Sequence, residues 1–239
     1  MKLIVANWKM HGSADVLRNW TAEIAASANA LASAAEAVLC PPAVFLNTFQ
    51  TLPHGPIILG AQDCHAQSQG AYTGDVSATM LKEAGCAYVI VGHSERRAAY
   101  GETDALVAKK ATAALQAGIT PILCVGESEA QRAGGKAEAI VSAQLSASLQ
   151  GVDAARCFVA YEPIWAIGSG RTPTSAEITS MHATLAQQLG NKTRVLYGGS
   201  VKAENSGEIF RIPHVAGALV GGASLDAAQF NAILRSATQ

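Results

Sequence analysis

The stretch YVIVGHSERRAAYGETDALVAKKATAALQAGITPILCVG, residues 88–126, holds one complete unit of a repeating pattern. Its ends, YVIVG (88–92) and ILCVG (122–126), are short apolar runs without polar alternation. Such runs fit strands covered on both faces, as in a parallel sheet. Between them, after Asp104, the residues Leu106, Val107, Ala111, Ala114 and Leu115 recur at helical spacing, and Gly118 stands where that helix would close. Strand, helix and strand in this order form a unit whose two strands run parallel.

Working outward, six further runs match the two at the ends of this unit. They are LIVAN (3–7), AVLC (37–40), IILGA (57–61), CFVAY (157–161), RVLYGG (194–199) and GALVGG (217–222). Helical patterns fill the gaps. After Ser13 the stripe Leu17, Trp20, Ile24, Leu31 has helical period, and the Ala-rich segment 22–37 reads as packed helix rather than flexible linker. Thr174 and Glu177 have capping-box spacing ahead of Ile178, Met181, Leu185 and Leu189, with Gly190 at the end. No linker rich in Pro, Gly or Ser divides the chain. Eight such strands alternating with helices over 239 residues predict a closed (β/α)8 barrel as one domain, 1–239. An open doubly wound sheet is the runner-up, but no GxGxxG follows the first strand.

Composition narrows the function. The net charge of −1 gives no basic field for nucleic acid, and no apolar run is long enough to span a bilayer. "MKLIVANWKM" lacks the apolar core of a signal peptide, so a cytoplasmic protein is expected. The five cysteines, Cys40, Cys64, Cys86, Cys124 and Cys157, form no CxxC pair and read as small buried residues of a reducing compartment. No cluster has metal-ligand spacing, and no nicotinamide or flavin fingerprint is present, so neither metal nor cofactor is expected.

In a barrel the chemistry gathers where the strands end. The first run ends in Asn7-Trp8-Lys9, where Lys9 is either a solvated charge or a fixed cation for an anionic substrate. The fourth ends in GHSERR, placing His93 at a helix start, whose positive dipole end disfavours a protonated imidazole. The fifth ends in Glu127, read as a structural carboxylate paired with a nearby cation or capping a helix. The sixth ends in Glu162, followed by Pro163, the apolar Ile164, Trp165, Ala166 and Ile167, then Gly168-Ser169-Gly170. A loop this apolar fits a lid over a pocket, and the acid beside it fits a base that works without water. Glycine pairs at 198–199 and 221–222, after the seventh and eighth runs, suit a phosphate cradle. Together these residues suit proton abstraction next to a carbonyl on a small phosphorylated substrate. A Schiff-base aldolase acting through Lys9 and a non-catalytic phosphometabolite-binding barrel are the alternatives.

The segments NWKM, GHSERR, YEPIWAIGSG, YGGSV and LVGGASL stand in the order and spacing of triosephosphate isomerases, and GAQD and GAYTGDVSATML extend the likeness. The chain resembles that family over essentially its whole length. The resemblance implies interconversion of dihydroxyacetone phosphate and D-glyceraldehyde 3-phosphate through an enediol(ate), a step of glycolysis and gluconeogenesis. By it Glu162 matches the base, His93 the electrophile, Lys9 the substrate-binding cation and Asn7 its neighbour. Glu95 matches a supporting acid near that lysine, and Gly168, Ser200, Gly221 and Gly222 match phosphate-gripping positions. The lid would run from Pro163 through Gly170, Arg171, Thr172 and Pro173. This family is itself the standard example of a glutamate base, a neutral histidine and a closing loop, so those roles come with the resemblance. It further implies a homodimer, with Thr73 reaching toward the partner's active site. The chain departs from many relatives in having Ser169, Arg171 and Pro173 in the lid and His11 after the first strand.

Overall fold

The computed structural model describes residues 1–169, 171–190 and 193–238. Among them, eight parallel strands close into a barrel in sequence order. The strands are β1 (Lys2–Asn7), β2 (Ala35–Cys40), β3 (Ile58–Ala61), β4 (Tyr88–Val91), β5 (Thr120–Val125), β6 (Phe158–Tyr161), β7 (Arg194–Tyr197) and β8 (Val215–Val220). The ring closes where β1 pairs with β8, Leu3 opposite Gly217. All eight expected runs are strands. One helix expectation overruns: the helix from Ala14 ends at Ala30, and residues 35–37 already belong to β2. Leu31 caps that helix, and its carbonyl accepts the N–H groups of Ala34 and Ala35, turning the chain into the sheet.

The runs are continuously apolar because each strand faces two cores. One cluster fills the barrel and includes Leu3, Val5, Val38, Cys40, Ile90, Cys124, Phe158 and Ala160. The other lies between barrel and helices and takes the alternate positions, Ile4, Ala6, Val89, Val91, Val159 and Tyr161, with Leu17, Ile24, Val107 and Leu185 from the helices. Successive strand side chains point to opposite faces. The alternation therefore has a consequence at the strand ends. Leu3 and Val5 point inward, which carries Asn7 to the inside of the mouth. Phe158 and Ala160 do the same for Glu162.

The seam beside β8 is pinned by two indoles. Trp8 and Trp20 both donate to the carbonyl of Ser224, at 3.2 and 2.8 Å, and their rings meet edge to face at 5.6 Å. This ties the end of β1 to the short 3-10 turn Gly222–Leu225 that follows β8.

Candidate active site

A cavity of about 530 Å³ opens at the C-terminal end of the barrel. Its lining includes Asn7, Lys9, His93 and Glu162, and on the other side Gly168, Ser200, Gly221 and Gly222. Eight residues singled out in the sequence thus share one space, although they span more than 200 positions of the chain.

Each is set by a local cause. Asn7 is buried, and its Oδ1 accepts the N–H of Lys9 at 3.0 Å. That turn supports the left-handed backbone of Lys9, φ 52°. Gln62 Nε2 holds the same segment by donating to the carbonyls of Lys9 and Cys40. The Lys9 ammonium is ion-paired with Glu95, the supporting acid.

His93 caps the helix Ser94–Tyr100, its Nδ1 accepting the N–H of Glu95 at 3.2 Å. An Nδ1 that accepts leaves the proton of a neutral ring on Nε2. Nε2 lies 2.9 Å from Glu162 Oε1. The contact is out of line for a hydrogen bond, so that oxygen has no donor among the described residues. Glu162 Oε2 accepts the N–H of Ser94 at 2.9 Å. The acid is 1% exposed.

Burial alone would raise the Glu162 carboxyl, but His93 and the Ser94 amide outweigh it and hold the group below the ordinary carboxylate value. Burial alone would lower His93, but the Glu162 and Glu95 carboxylates turn the net direction upward. In the substrate-free pair the carboxylates thus oppose the helix dipole at this ring, an influence hidden in the sequence because it comes from a carboxylate that only the fold brings to 2.9 Å.

Glu162 needs room on its flank. Its backbone crosses so close to Gly126 that a Cβ there would stand 1.8 Å from the Glu162 carbonyl oxygen. Its N–H donates to Val125 O at 2.7 Å, continuing the β5–β6 ladder past the strand end. Gly126 and Ser94 were missed as site residues. The signal for Ser94 was its place as the first residue of a helix, where the N–H has no partner within the helix.

The lid begins at buried Pro163 and turns through Ile164–Ala166 in a 3-10 helix. Ala166 is fully buried, Ile164 is 39% exposed and Ile167 lines the cavity. Ser200 Oγ donates to Ala166 O at 2.6 Å and Ser169 Oγ to Trp165 O at 2.9 Å. Arg171 pairs with Glu129 at 2.7 Å and its guanidinium lies over the Trp165 ring. Thr172 is exposed and Pro173 buried, while Gly170 lies outside the described residues. Glu127 is the structural carboxylate expected: its Oε1 accepts from Arg132 Nε, Tyr161 OH and Trp165 Nε1. Thr73 sits in an exposed turn away from the cavity.

The family model for triosephosphate isomerase matches residues 2–237. The chain belongs to the triosephosphate isomerase family. It is 49% identical to a triosephosphate isomerase from Ruegeria pomeroyi, covering 100% of this chain and 98% of that one. It is 47% identical to one from Hyphomonas neptunium, covering 99% and 98%. The crystal structure of triosephosphate isomerase from Bartonella henselae superposes with a TM-score of 0.90 at 41% identity, over 100% of this chain and 99% of that one. As a member of the triosephosphate isomerase family the chain is an enzyme of the isomerase class, and its barrel is the one that this structural neighbour shares.

Proposed function

We propose that the protein interconverts dihydroxyacetone phosphate and D-glyceraldehyde 3-phosphate by single-base proton transfer. The observation that carries this reading is the pairing of Glu162 with His93 on one cavity: a buried ionised carboxylate with an undonated oxygen, 2.9 Å from an imidazole nitrogen. Glu162 takes a proton from C1 of the ketose, and electrons move through C2 onto its carbonyl oxygen. His93 stabilises that oxygen through its Nε2 proton. The proton of the C1 hydroxyl passes to the C2 oxygen by way of His93 Nε2, and the protonated Glu162 then delivers its own proton to C2, giving the aldose and restoring the carboxylate. Once substrate oxygen accepts a hydrogen bond from Nε2, Glu162 no longer faces that nitrogen, and burial with the helix end keeps the ring neutral.

Lys9 supplies the fixed positive charge for the anionic substrate, with Asn7 orienting it and Glu95 holding the ammonium in place. Gly168, Ser200, Gly221 and Gly222 grip the phosphate with close backbone and hydroxyl groups. The lid from Pro163 to Pro173 closes over it, limiting water and loss of phosphate from the intermediate. The Lys9 side-chain nitrogen is engaged by the Glu95 carboxylate, a geometry that weighs against its use as the nucleophile of a Schiff-base aldolase.

The working form in this reading is a cytoplasmic homodimer. Five buried free thiols suit a reducing compartment. Met10, Val44, Tyr72 and Tyr100 are exposed on the segments after β1, β2, β3 and β4, which are barrel neighbours. Thr73 shares the segment of Tyr72 and would enter the partner subunit. A coupled assay with each triose phosphate tests the activity, with borohydride trapping as its counterpart. Turnover without trapping supports the isomerase; trapping of substrate on Lys9 overturns it.

A further inference from the structure

Arg97 lies on the helix after β4 and does not line the cavity. Its side chain is 13% exposed. One edge of its guanidinium pairs with Asp104 Oδ1 at 2.5 Å, and Nη2 donates to Ser148 Oγ at 3.1 Å. Ser148 in turn donates to the same Asp104 oxygen at 3.0 Å. An ion pair needs no more than this. Yet Nε also donates to Gly92 O at 2.8 Å and Nη2 to Cys124 O at 3.2 Å.

Those two carbonyls are not arbitrary. Gly92 O belongs to the peptide unit that leads into His93, at a turn with φ 68° that directs the imidazole into the barrel mouth. A side chain at Gly92 would collide with Val107 at 2.6 Å, so the turn has one tight solution. Cys124 O belongs to the peptide unit that leads into Val125, whose own carbonyl takes the N–H of Glu162 at 2.7 Å. We propose that Arg97 is a positioning residue: one planar fork clamps the backbone under His93 and the backbone under Glu162, and so sets the spacing of the reacting pair. A lysine there would keep the charge opposite Asp104 but lacks a rigid fork able to hold both carbonyls. The inference rests on the isomerase reading above, and its test has a readout independent of turnover.

The experiment compares the full-length protein with Arg97→Lys. The expected result is a kcat lower by about ten- to a hundred-fold, the scale on which small misplacements of reacting groups act, with KM within about two-fold. The 15N resonances of the His93 ring should shift in the substrate-free protein, with melting within a few degrees of the parent. A folded Arg97→Lys protein with parent kcat and parent ring resonances overturns the inference, and so does a raised KM at unchanged kcat. If that variant does not fold, Ser148→Ala loosens one side of the fork. A two- to five-fold fall in kcat with a ring shift supports the inference, and no change in either overturns it. If the parent itself fails to isomerise triose phosphates, the isomerase reading falls, and the ring resonances alone still decide whether Arg97 sets the geometry of the pair.

Discussion

Glu127 and Glu162 stand at the ends of neighbouring strands, β5 and β6, and are equally hidden, at 0% and 1% exposure. Their surroundings divide their roles. Glu127 gathers a guanidinium, a phenol and an indole on one oxygen, and its charge is met by the permanent cation of Arg132. Glu162 is met by an imidazole and one backbone amide, and it borders the cavity. Burial alone therefore does not mark a reactive acid. The partner does: a fixed cation makes a carboxylate structural, and a titratable, displaceable one leaves it free to accept a proton.

The largest test of this contrast is Glu162→Gln. Turnover should fall by up to about 10⁴-fold, the upper range for one general base, while phosphate analogues still bind. The His93 ring, relieved of its strongest upward influence, should then titrate below the ordinary histidine value. Ring NMR reads this directly, and an unmoved His93 would break the account of the pair. Next comes His93→Asn. Loss of the donor at the developing oxyanion should lower kcat by about 10²–10³-fold with little change in melting. A variant that unfolds instead would make His93 a structural residue like Glu127.

Glu127→Gln should reverse the pattern. It leaves Arg132 with only its outer carboxylate partner, Glu177, at 3.1 Å, so urea unfolding should show a loss of about 2 kcal/mol, discounted for the partial exposure of Arg132. Turnover should fall less than ten-fold. Trp165→Phe removes one of the three donors on that oxygen and should destabilise by about 1 kcal/mol.

The smallest effect is in acid. The folded Glu162 carboxyl lies below its unfolded value, so its contribution to stability is complete above the unfolded pKa and disappears as pH falls through the lower folded one. Comparing acid unfolding of the parent with Glu162→Gln should show that part of the slope missing from the variant. An identical slope in both would mean that the pair does not hold Glu162 below its ordinary value.

Much of this was legible in residue order. Continuous apolar runs separated by helical stripes meant strands with two covered faces, and eight of them meant a closed ring. The apolar lid after Glu162 and the glycine pairs after β7 and β8 marked one end of that ring. The helix end at Ala30 was not legible, because the alanines before β2 fit helix and strand alike, and pairing with β1 decided between them. Ser94, Gly126 and Arg97 were also invisible. Their parts are an amide, an absence of side chain and a fork on two carbonyls, and none has meaning until distant backbone arrives beside it.

By itself, then, the sequence determined the strand count and the identity of the groups at the rim, whereas which strand faces turn inward, and with them Asn7 and Glu162, is set by the two cores of the folded barrel. Tertiary structure decided what those groups do to one another. Charge and proton affinity depend on distances of a few ångströms between residues 93 and 162, and only ring closure and the packing beneath it bring that gap to 2.9 Å.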